Sequence, residues 1–163
     1  MEIRLASFAE LEEIDSIYSE ARSFMRAAGN PTQWKDGYPC QELIRSDIEN
    51  RQLYVVEDCG ELMAVFVYFF GEDRTYKKIY DGAWENDEPY GVIHRIAVSE
   101  KSHGKGVSRL CFDFAYEKCG NLKINTHRDN IPMQRALLKC GFEKCGIIYL
   151  ENGEERIAYQ RIG

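Results

Sequence analysis

The chain has 163 residues, 44% of them hydrophobic and 29% charged, which is typical of a soluble domain that buries its core without disulfides or metals. Its 27 acidic and 21 basic residues leave a formal charge of −6, and this disfavours a protein that coats nucleic acid through a basic face. The longest apolar run, Leu62 to Phe70, is far shorter than the roughly 20 residues of a membrane span, and the acidic N-terminus does not resemble a signal peptide. We therefore expect one cytoplasmic domain over residues 1–163.

The first half of the chain predicts two helices placed between strands. Ser7 and Glu10 form a capping box, and apolar side chains then recur at helical spacing up to Ala28. Pro39 is placed in the first turn of a second helix that continues to about Arg51. The predicted strands are residues 2–5, 53–57 and 62–70, the last two joined by a hairpin turn at Asp58-Cys59-Gly60. The third strand is apolar on both faces, which indicates a central place in a sheet.

The segment 71–89 is long, acidic and aromatic. Loops of this length in compact domains are usually functional or disordered. Its aromatic residues, Tyr76, Tyr80 and Trp84, are atypical of disorder, so we expect an ordered segment.

The second half alternates strands and helices and ends in a hairpin. Residues 91–98 and 122–126 are predicted strands, the Gly-containing turn SHGKGVS opens a helix to about Cys119, and Pro132 lies near the start of a short helix at 131–139. The Asn152-Gly153 pair favours a type I′ turn in the final hairpin. The chain is therefore expected to be a mixed α/β domain.

The six cysteines and three histidines show neither a CxxC pair nor a metal-ligand pattern. We expect reduced, mostly buried thiols, because cysteine inside an apolar pattern behaves as a small hydrophobic residue. No metal site is predicted.

The turn between the strand at 91–98 and the next helix has the character of a phosphate site. Unpaired N–H groups and the helix dipole at a helix start attract phosphate, and Gly104 and Gly106 let the backbone approach it closely. Lys101, Lys105 and Arg109 add positive charge. The spacing fits neither a P-loop nor a dinucleotide fingerprint, and a plain strand–helix turn remains an alternative on these residues alone.

Two motifs together resemble the GNAT acetyltransferase superfamily, which uses acetyl-CoA. Residues 101–106 match its [RQ]xxGx[GA] turn with Lys101 in the first place, and Asn130 followed by a short helix and Gly141-Phe142 matches its second signature. The resemblance implies a twisted, mostly antiparallel sheet of about seven strands flanked by four helices. It covers the chain broadly, and residues 92–142 are its specific part.

The resemblance also implies roles for individual residues. The backbone of Ile96, Ala97 and Val98 would pair with the pantetheine arm, and the N–H of Val98 would polarise the thioester carbonyl. Asn130 would hydrogen-bond the arm. The pyrophosphate would bind to the turn and helix start: Lys101, His103, Gly104, Lys105, Gly106, Val107 and Ser108.

The general acid of the family does not match this sequence. The family often has a tyrosine seven residues after the Asn, and Leu137 stands there. Cys140, Tyr149 and Tyr159 are weaker alternatives, and a CoA thiol is acidic enough to leave without a strong acid. Leu137 therefore leaves the acid unassigned.

For the general base we favour His94, because an imidazole titrates near neutral pH and this residue lies on the strand that leads to the turn. A structural histidine is the competing interpretation. His127 has the same ambiguity, and the acids Glu85, Asp87 and Glu88 are further candidates if the 71–89 segment folds over the site.

Aromatic and acidic side chains in two variable segments are predicted to bind the acceptor. An acidic, aromatic rim favours a cationic amine, through charge and cation–π contact. A solvated acidic loop is the alternative. The candidate acceptor-binding residues are Trp34, Tyr38, Tyr80, Trp84, Glu85 and Tyr90.

We therefore expect an acetyl-CoA-dependent N-acetyltransferase that acts on a primary amine of a small molecule, peptide or protein, through a ternary complex. The alternative is a non-catalytic acyl-CoA-binding or sensing module on the same fold. No nucleic acid or membrane partner is expected, and the final hairpin offers a surface for a homodimer.

Overall fold

The structure is a computed structural model that describes all 163 residues. Its strands are β1 (Glu2–Leu5), β2 (Leu53–Asp58), β3 (Glu61–Phe70), β4 (Gly91–Val98), β5 (Leu122–Thr126), β6 (Glu143–Tyr149) and β7 (Glu155–Arg161), and its helices are α1 (Leu11–Ala27), α2 (Gln41–Glu49), α3 (Val107–Cys119) and α4 (Ile131–Lys139). The strands form one seven-stranded sheet in the order β1-β2-β3-β4-β5-β7-β6. The predicted mixed α/β fold with seven strands and four helices is confirmed.

Most neighbouring strands run antiparallel, as the resemblance implied. The exception is the parallel pair β4 and β5, in which Gly91 is aligned with Leu122 and Val92 with Lys123. A parallel pair needs a crossover connection, and α3 provides it here. This crossover places the glycine-rich turn directly between the end of β4 and the start of α3.

The chain folds into two compact units. The first unit comprises Met1–Tyr68 and His94–Cys111, and the second comprises Phe69–Ile93 and Phe112–Gly163. The expectation of a single domain over residues 1–163 stays a prediction.

In the first unit, α1 and α2 pack together and bury apolar side chains with β2 and β3. Ile14 of α1, Ile44 of α2 and Phe66 of β3 are all fully buried. Helix α1 follows a short 3₁₀ turn at 8–10, where the carboxylate of Glu10 accepts a hydrogen bond of 2.9 Å from the N–H of Ser7. The capping box therefore starts this helical segment as predicted.

In the second unit, the segment after β3 folds onto the sheet and completes the core. Tyr76 is 2% exposed and packs with Val92, Ile148 and Ala158. Tyr80 forms an isolated antiparallel bridge with Ile147 of β6, with backbone hydrogen bonds of 2.7 and 2.8 Å. The predicted order of the 71–89 segment is confirmed, because its aromatic side chains provide the apolar surface that packing requires.

Three local predictions are wrong. Pro39 precedes α2 by two residues and does not lie in its first turn. In the turn of the final hairpin only Gly153 has a positive φ, of 88°, whereas a type I′ turn needs positive φ at both central residues. The expectation of mostly buried thiols fails at Cys40 and Cys59, which are exposed, although all six cysteines are free thiols.

Candidate active site

The turn between β4 and α3 is anchored at its start and open at its end. The N–H of Ser99 donates to the carbonyl of Met63 at 2.9 Å, and the buried hydroxyls of Ser99 and Ser102 lie 2.6 Å apart. Gly104 and Gly106 follow with φ values of 79° and 73°, a left-handed conformation that L side chains rarely adopt. The first part of the turn is therefore held in place by hydrogen bonds, and the glycine bend follows it.

The backbone N–H groups of residues 104–108 donate to no other group of the chain. The first N–H groups of a helix have no partner within the helix, and the helix dipole makes this end partially positive. A Cβ built on Gly104 or Gly106 would meet no heavy atom within 4 Å, so the surroundings of both α-carbons are open. Unpaired N–H groups at a helix start beside an open glycine bend are the features of a phosphate-binding turn.

The basic side chains around the turn differ in how they are held. Lys101 forms an exposed ion pair with Glu61, at 3.2 Å. Lys105 is exposed and carries no ion pair within 4 Å. The turn therefore keeps positive charge available beside its N–H groups.

A cavity of about 470 Å³ lies in the first unit beside the end of β4. Val98 and His103 line it together with one face of α1, which contributes three serines, Glu20 and Phe24. The ring of His103 packs edge-on against Phe24, and its Nε2 lies 3.3 Å from the carbonyl oxygen of Val98. The structure therefore brings together Val98 and His103, both predicted from the motif.

Ile96 and Ala97 precede Val98 on β4 and are buried, with 8% and 4% of their surface exposed. Contact of their backbones with a pantetheine arm stays a prediction. His94 is half-buried on the same strand. The assignments of His94 as base and of Val98 as oxyanion donor stay predictions.

Arg95, between these residues, was not anticipated as part of the site. Its φ is 48°, and its guanidinium makes hydrogen bonds of 3.1 and 2.9 Å to both carboxylate oxygens of Asp47 on α2. Its backbone carbonyl accepts a hydrogen bond of 2.8 Å from the hydroxyl of Tyr18 on α1. Burial alone would lower the pKa of Arg95, but the neighbouring Tyr38 and Asp47 raise it, so the guanidinium stays charged. We name these three residues, Tyr18, Asp47 and Arg95, the Arg95 clamp.

For one residue of the Arg95 clamp, the sequence pattern indicates burial beside a polar or charged partner. Asp47 is spaced three residues after Ile44 and one before Ile48, so it belongs to the buried side of α2. A carboxylate on an apolar helix face needs a charged or hydrogen-bonding partner. Tyr18 and Arg95 carried no comparable signal.

The aromatic residues predicted from the first variable segment lie next to the clamp. Trp34 is 9% exposed and packs edge-on against Tyr18, with ring centroids 5.6 Å apart. The hydroxyl of Tyr38 accepts a hydrogen bond of 3.2 Å from Nη1 of Arg95, and Tyr38 is 38% exposed. Tyr38 therefore presents a hydroxyl to solvent beside β4.

The aromatic residues predicted from the second variable segment are held within the second unit. The ammonium of Lys123 lies 4.1 Å from the ring centre of Trp84 and 3.9 Å from that of Tyr90. Glu85 is exposed and its N–H donates to Gln160 at 2.7 Å. The exposed ring of Tyr80 packs edge-on against Tyr149. Contact of these residues with an acceptor stays a prediction.

The residues of the second family signature are also in the second unit. The side-chain oxygen of Asn130 accepts a hydrogen bond of 3.2 Å from the N–H of Met133, so this side chain caps α4. Leu137 and Cys140 are buried. Burial and Arg156 lower the pKa of His127, whose Nδ1 accepts a hydrogen bond from the N–H of Asp129 at 3.0 Å. Asn130 therefore has a structural role at the helix start, and its contact with the pantetheine arm stays a prediction.

The family model described as acetyltransferase (GNAT) family matches residues 11–142. A GNAT-family acetyltransferase structure from Streptococcus agalactiae is 34% identical, with a TM-score of 0.92 over 99% of this chain and 95% of that one. The chain therefore belongs to the GNAT acetyltransferase family.

More distant structures share the fold. One described as a putative acetyltransferase, from Staphylococcus aureus, is 24% identical, with a TM-score of 0.72 and 99% of each chain covered. A ribosomal-protein-alanine N-acetyltransferase from Brucella melitensis is 18% identical, with a TM-score of 0.67 and both chains fully covered. No curated protein matches the chain.

No helix combines the length and the apolar character needed to cross a membrane. No three His, Cys, Asp or Glu side chains are grouped so as to hold a metal ion.

Proposed function

We propose that this GNAT family member is an N-acetyltransferase that moves the acetyl group of acetyl-CoA directly to a primary amine, in a ternary complex. The observation that carries the proposal is the run of N–H groups at residues 104–108 that have no partner in the chain, at the start of α3 and beside two glycines with open surroundings. A diphosphate matches this run in charge and in extended shape. Acetyl-CoA supplies an acetyl group activated as a thioester.

The chain's own residues would orient the two reactants, stabilise the negative charge that develops on the carbonyl oxygen and accept the proton of the amine. The amine nitrogen forms a bond to the acetyl carbon, the carbon–sulfur bond breaks, and the sulfur leaves with the bonding electron pair. The N–H of Val98 would donate to the carbonyl oxygen as it gains negative charge. His94 would accept the proton lost by the amine nitrogen, and the thiolate would be protonated from solvent, since Leu137 cannot serve as an acid.

The acceptor is proposed to be a cationic amine of a small molecule, peptide or protein. Six acidic residues lie in 71–89 against three basic ones, which favours a positively charged acceptor. Trp34 and Tyr38, followed by Tyr80, Trp84 and Tyr90, would add aromatic surface for cation–π contact. The ribosomal-protein-alanine acetyltransferase among the structural neighbours adds a peptide N-terminus to the candidate acceptors. A cytoplasmic location and a homodimer belong to the same proposal.

The experiment is to measure free-thiol release from acetyl-CoA over a panel of amines that includes polyamines, amino acids and peptides with an N-terminal alanine. Release that depends on both acetyl-CoA and one class of amine is the expected result. CoA binding by calorimetry without thiol release for any amine would favour the alternative, an acyl-CoA sensor. Absence of CoA binding would overturn both.

A further inference from the structure

Arg95 has an unusual backbone conformation for its place in the fold. Five non-glycine residues have positive φ, and four of them, Asp36, Arg51, Cys59 and Asp81, lie in turns or loops. Arg95 is the fifth, with φ of 48°, and it lies in the middle of β4. Non-glycine residues rarely hold this conformation, and they hold it where surrounding contacts impose it.

The contacts that impose it come from two helices. The hydroxyl of Tyr18, on α1, donates to the Arg95 carbonyl at 2.8 Å, and Tyr18 is 1% exposed. The carboxylate of Asp47, on α2, accepts from Nε and Nη2 of Arg95, and Asp47 is 5% exposed. The backbone and the side chain of Arg95 are therefore each held by a buried group.

The residues that follow Arg95 are the ones with a proposed catalytic task. A change of backbone angle at Arg95 rotates the peptide planes of Ile96, Ala97 and Val98, because no flexible residue separates them. A donor to a developing negative charge acts only when it is fixed within a few tenths of an ångström of the hydrogen-bonding position. The direction of these N–H groups therefore depends on how firmly Arg95 is held.

We propose that Tyr18 and Asp47 are positioning residues for acetyl transfer: by holding Arg95 in its left-handed conformation, they aim the backbone N–H of Val98 at the thioester carbonyl. The proposal rests on the proposed function, because it assumes that acetyl-CoA binds along β4. It assigns to α1 and α2 a task in the reaction itself.

The second unit offers a matched control. Tyr76 is also a nearly fully buried tyrosine, 2% exposed, and its hydroxyl accepts a hydrogen bond of 2.9 Å from Asn125. Burial raises the pKa of both tyrosines, so both hydroxyls stay protonated at neutral pH. Tyr18→Phe and Tyr76→Phe therefore each remove one buried, hydrogen-bonded hydroxyl, but only the first loosens the Arg95 clamp.

The experiment measures kcat and KM for acetyl-CoA, together with thermal unfolding, in the wild type and both variants. Tyr18→Phe is expected to lower kcat about tenfold while KM for acetyl-CoA stays within about twofold, because the lost effect acts on the transition state. Tyr76→Phe is expected to leave kcat within about twofold at a similar loss of thermal stability. An unchanged kcat in Tyr18→Phe, or an equal fall in both variants, would overturn the proposal.

A spectroscopic measurement separates this proposal from the proposed function. The infrared stretch of a ¹³C-labelled acetyl carbonyl, in acetyl-CoA bound to the protein, is expected to lie below its frequency in water and to move back in Tyr18→Phe but not in Tyr76→Phe. This readout needs no turnover, so it tests the clamp even if the protein is a sensor. An identical frequency in all three proteins would overturn the clamp, and absence of binding would overturn the proposed function and the clamp with it.

Asp47→Asn provides a second variant if Tyr18→Phe does not fold. It keeps the shape of the side chain and removes the charge that holds the guanidinium. The same fall in kcat and the same return of the carbonyl frequency are expected. Wild-type values of both would overturn the part of the proposal that concerns Asp47.

Discussion

Arg95 in the first unit and Lys123 in the second are both largely withdrawn from solvent, but the two units stabilise these basic side chains in different ways. In the first unit Arg95 lies against the carboxylate of Asp47, with the closest nitrogen–oxygen distance 2.9 Å. In the second unit Lys123, 4% exposed, lies between the rings of Trp84 and Tyr90, and no carboxylate is within 4 Å of its ammonium. The first basic group has a formal counter-charge, and the second has only aromatic faces.

This difference sets how each unit responds to pH and to mutation. The pKa of Arg95 is raised, so its geometry is insensitive to pH. Burial lowers the pKa of Lys123 to about 8, although Cys145 and Asp87 act in the opposite direction. A buried ion pair therefore fixes the strand beside the proposed cofactor site. The rings of Trp84 and Tyr90, which we call the aromatic enclosure, surround a Lys123 ammonium whose pKa is close to neutral pH.

The largest expected effect is the loss of the carboxylate in the first unit. Asp47→Ala leaves the Arg95 guanidinium buried without a counter-charge, and such losses cost about 3–5 kcal/mol. Denaturant unfolding measures the change. Asp113→Ala is the control, because Asp113 pairs with Arg161 in the second unit with 41% of its side chain exposed, and exposed pairs contribute at most about 1 kcal/mol. Equal losses of unfolding free energy in Asp47→Ala and Asp113→Ala would mean that the Asp47–Arg95 ion pair stabilises the fold no more than an exposed pair does.

The next effect concerns cofactor binding. Gly104→Val or Gly106→Val is expected to weaken CoA binding at least about 100-fold, which corresponds to about 2.7 kcal/mol, because a branched side chain would alter the bend and fill the open space around the α-carbon. Calorimetry with CoA measures it. Gly153→Val is the matched control, since Gly153 also has a positive φ and open surroundings but lies in the hairpin. If neither Gly104→Val nor Gly106→Val changes the affinity for CoA, the assignment of this turn as the phosphate site is wrong.

A smaller effect is expected at the proposed base. His94→Ala should lower kcat about tenfold and remove the acidic limb of the pH–rate profile, because only neutral imidazole accepts a proton. The comparison variant is His127→Ala, since His127 is the other candidate and burial lowers its pKa. A limb that survives in His94→Ala and disappears in His127→Ala would transfer the role of base to His127.

The regular elements that frame the cofactor turn were predictable from local patterns. The boundaries of β4, β5 and α4 agree with the sequence, and two of them have a strong local signal: Gly91 is the first residue of β4, and Asn130 with Pro132 lies at the start of α4. The final hairpin was predicted correctly, but its turn was not. Asn-Gly pairs favour type I′, yet a hydrogen bond from the Gly153 N–H to the Leu150 carbonyl, at 2.9 Å, selects a different turn here.

The Arg95 clamp shows what local patterns leave out. Sequence rules assign left-handed backbone to glycine and asparagine, so an arginine inside a strand gives no warning. The conformation is imposed by partners 77 and 48 residues away in the chain, Tyr18 and Asp47. Likewise the apolar spacing of α1 marks Tyr18 as buried but does not reveal what its hydroxyl contacts. Tertiary contacts of this range cannot be obtained from windows of a dozen residues.

The smallest expected effect tests the aromatic enclosure in the second unit. The pKa of Lys123 is about 8 in the folded chain against an ordinary value of 10.5, so between these values the unfolded chain holds a proton that the folded chain has lost. Raising the pH through this window therefore stabilises the fold, by at most about 1.4 kcal/mol per pH unit. Below about pH 8 Lys123 is protonated in both the folded and the unfolded chain, so this stabilisation is absent. Lys123→Met keeps an apolar stem and removes the proton.

Unfolding free energies at pH 7, 8, 9 and 10 are the measurement. The wild type should gain stability relative to Lys123→Met from about pH 8 upward, and the difference between the two curves cancels Tyr90, whose raised pKa acts on both proteins. Lys118→Met is the control: this lysine also lies over one ring, that of Phe114, but it is exposed and should leave the slope unchanged. Parallel curves for the wild type and Lys123→Met would mean that the two rings fully offset the burial of the ammonium, because a group whose charged form is stabilised equally in folded and unfolded chains contributes no pH dependence.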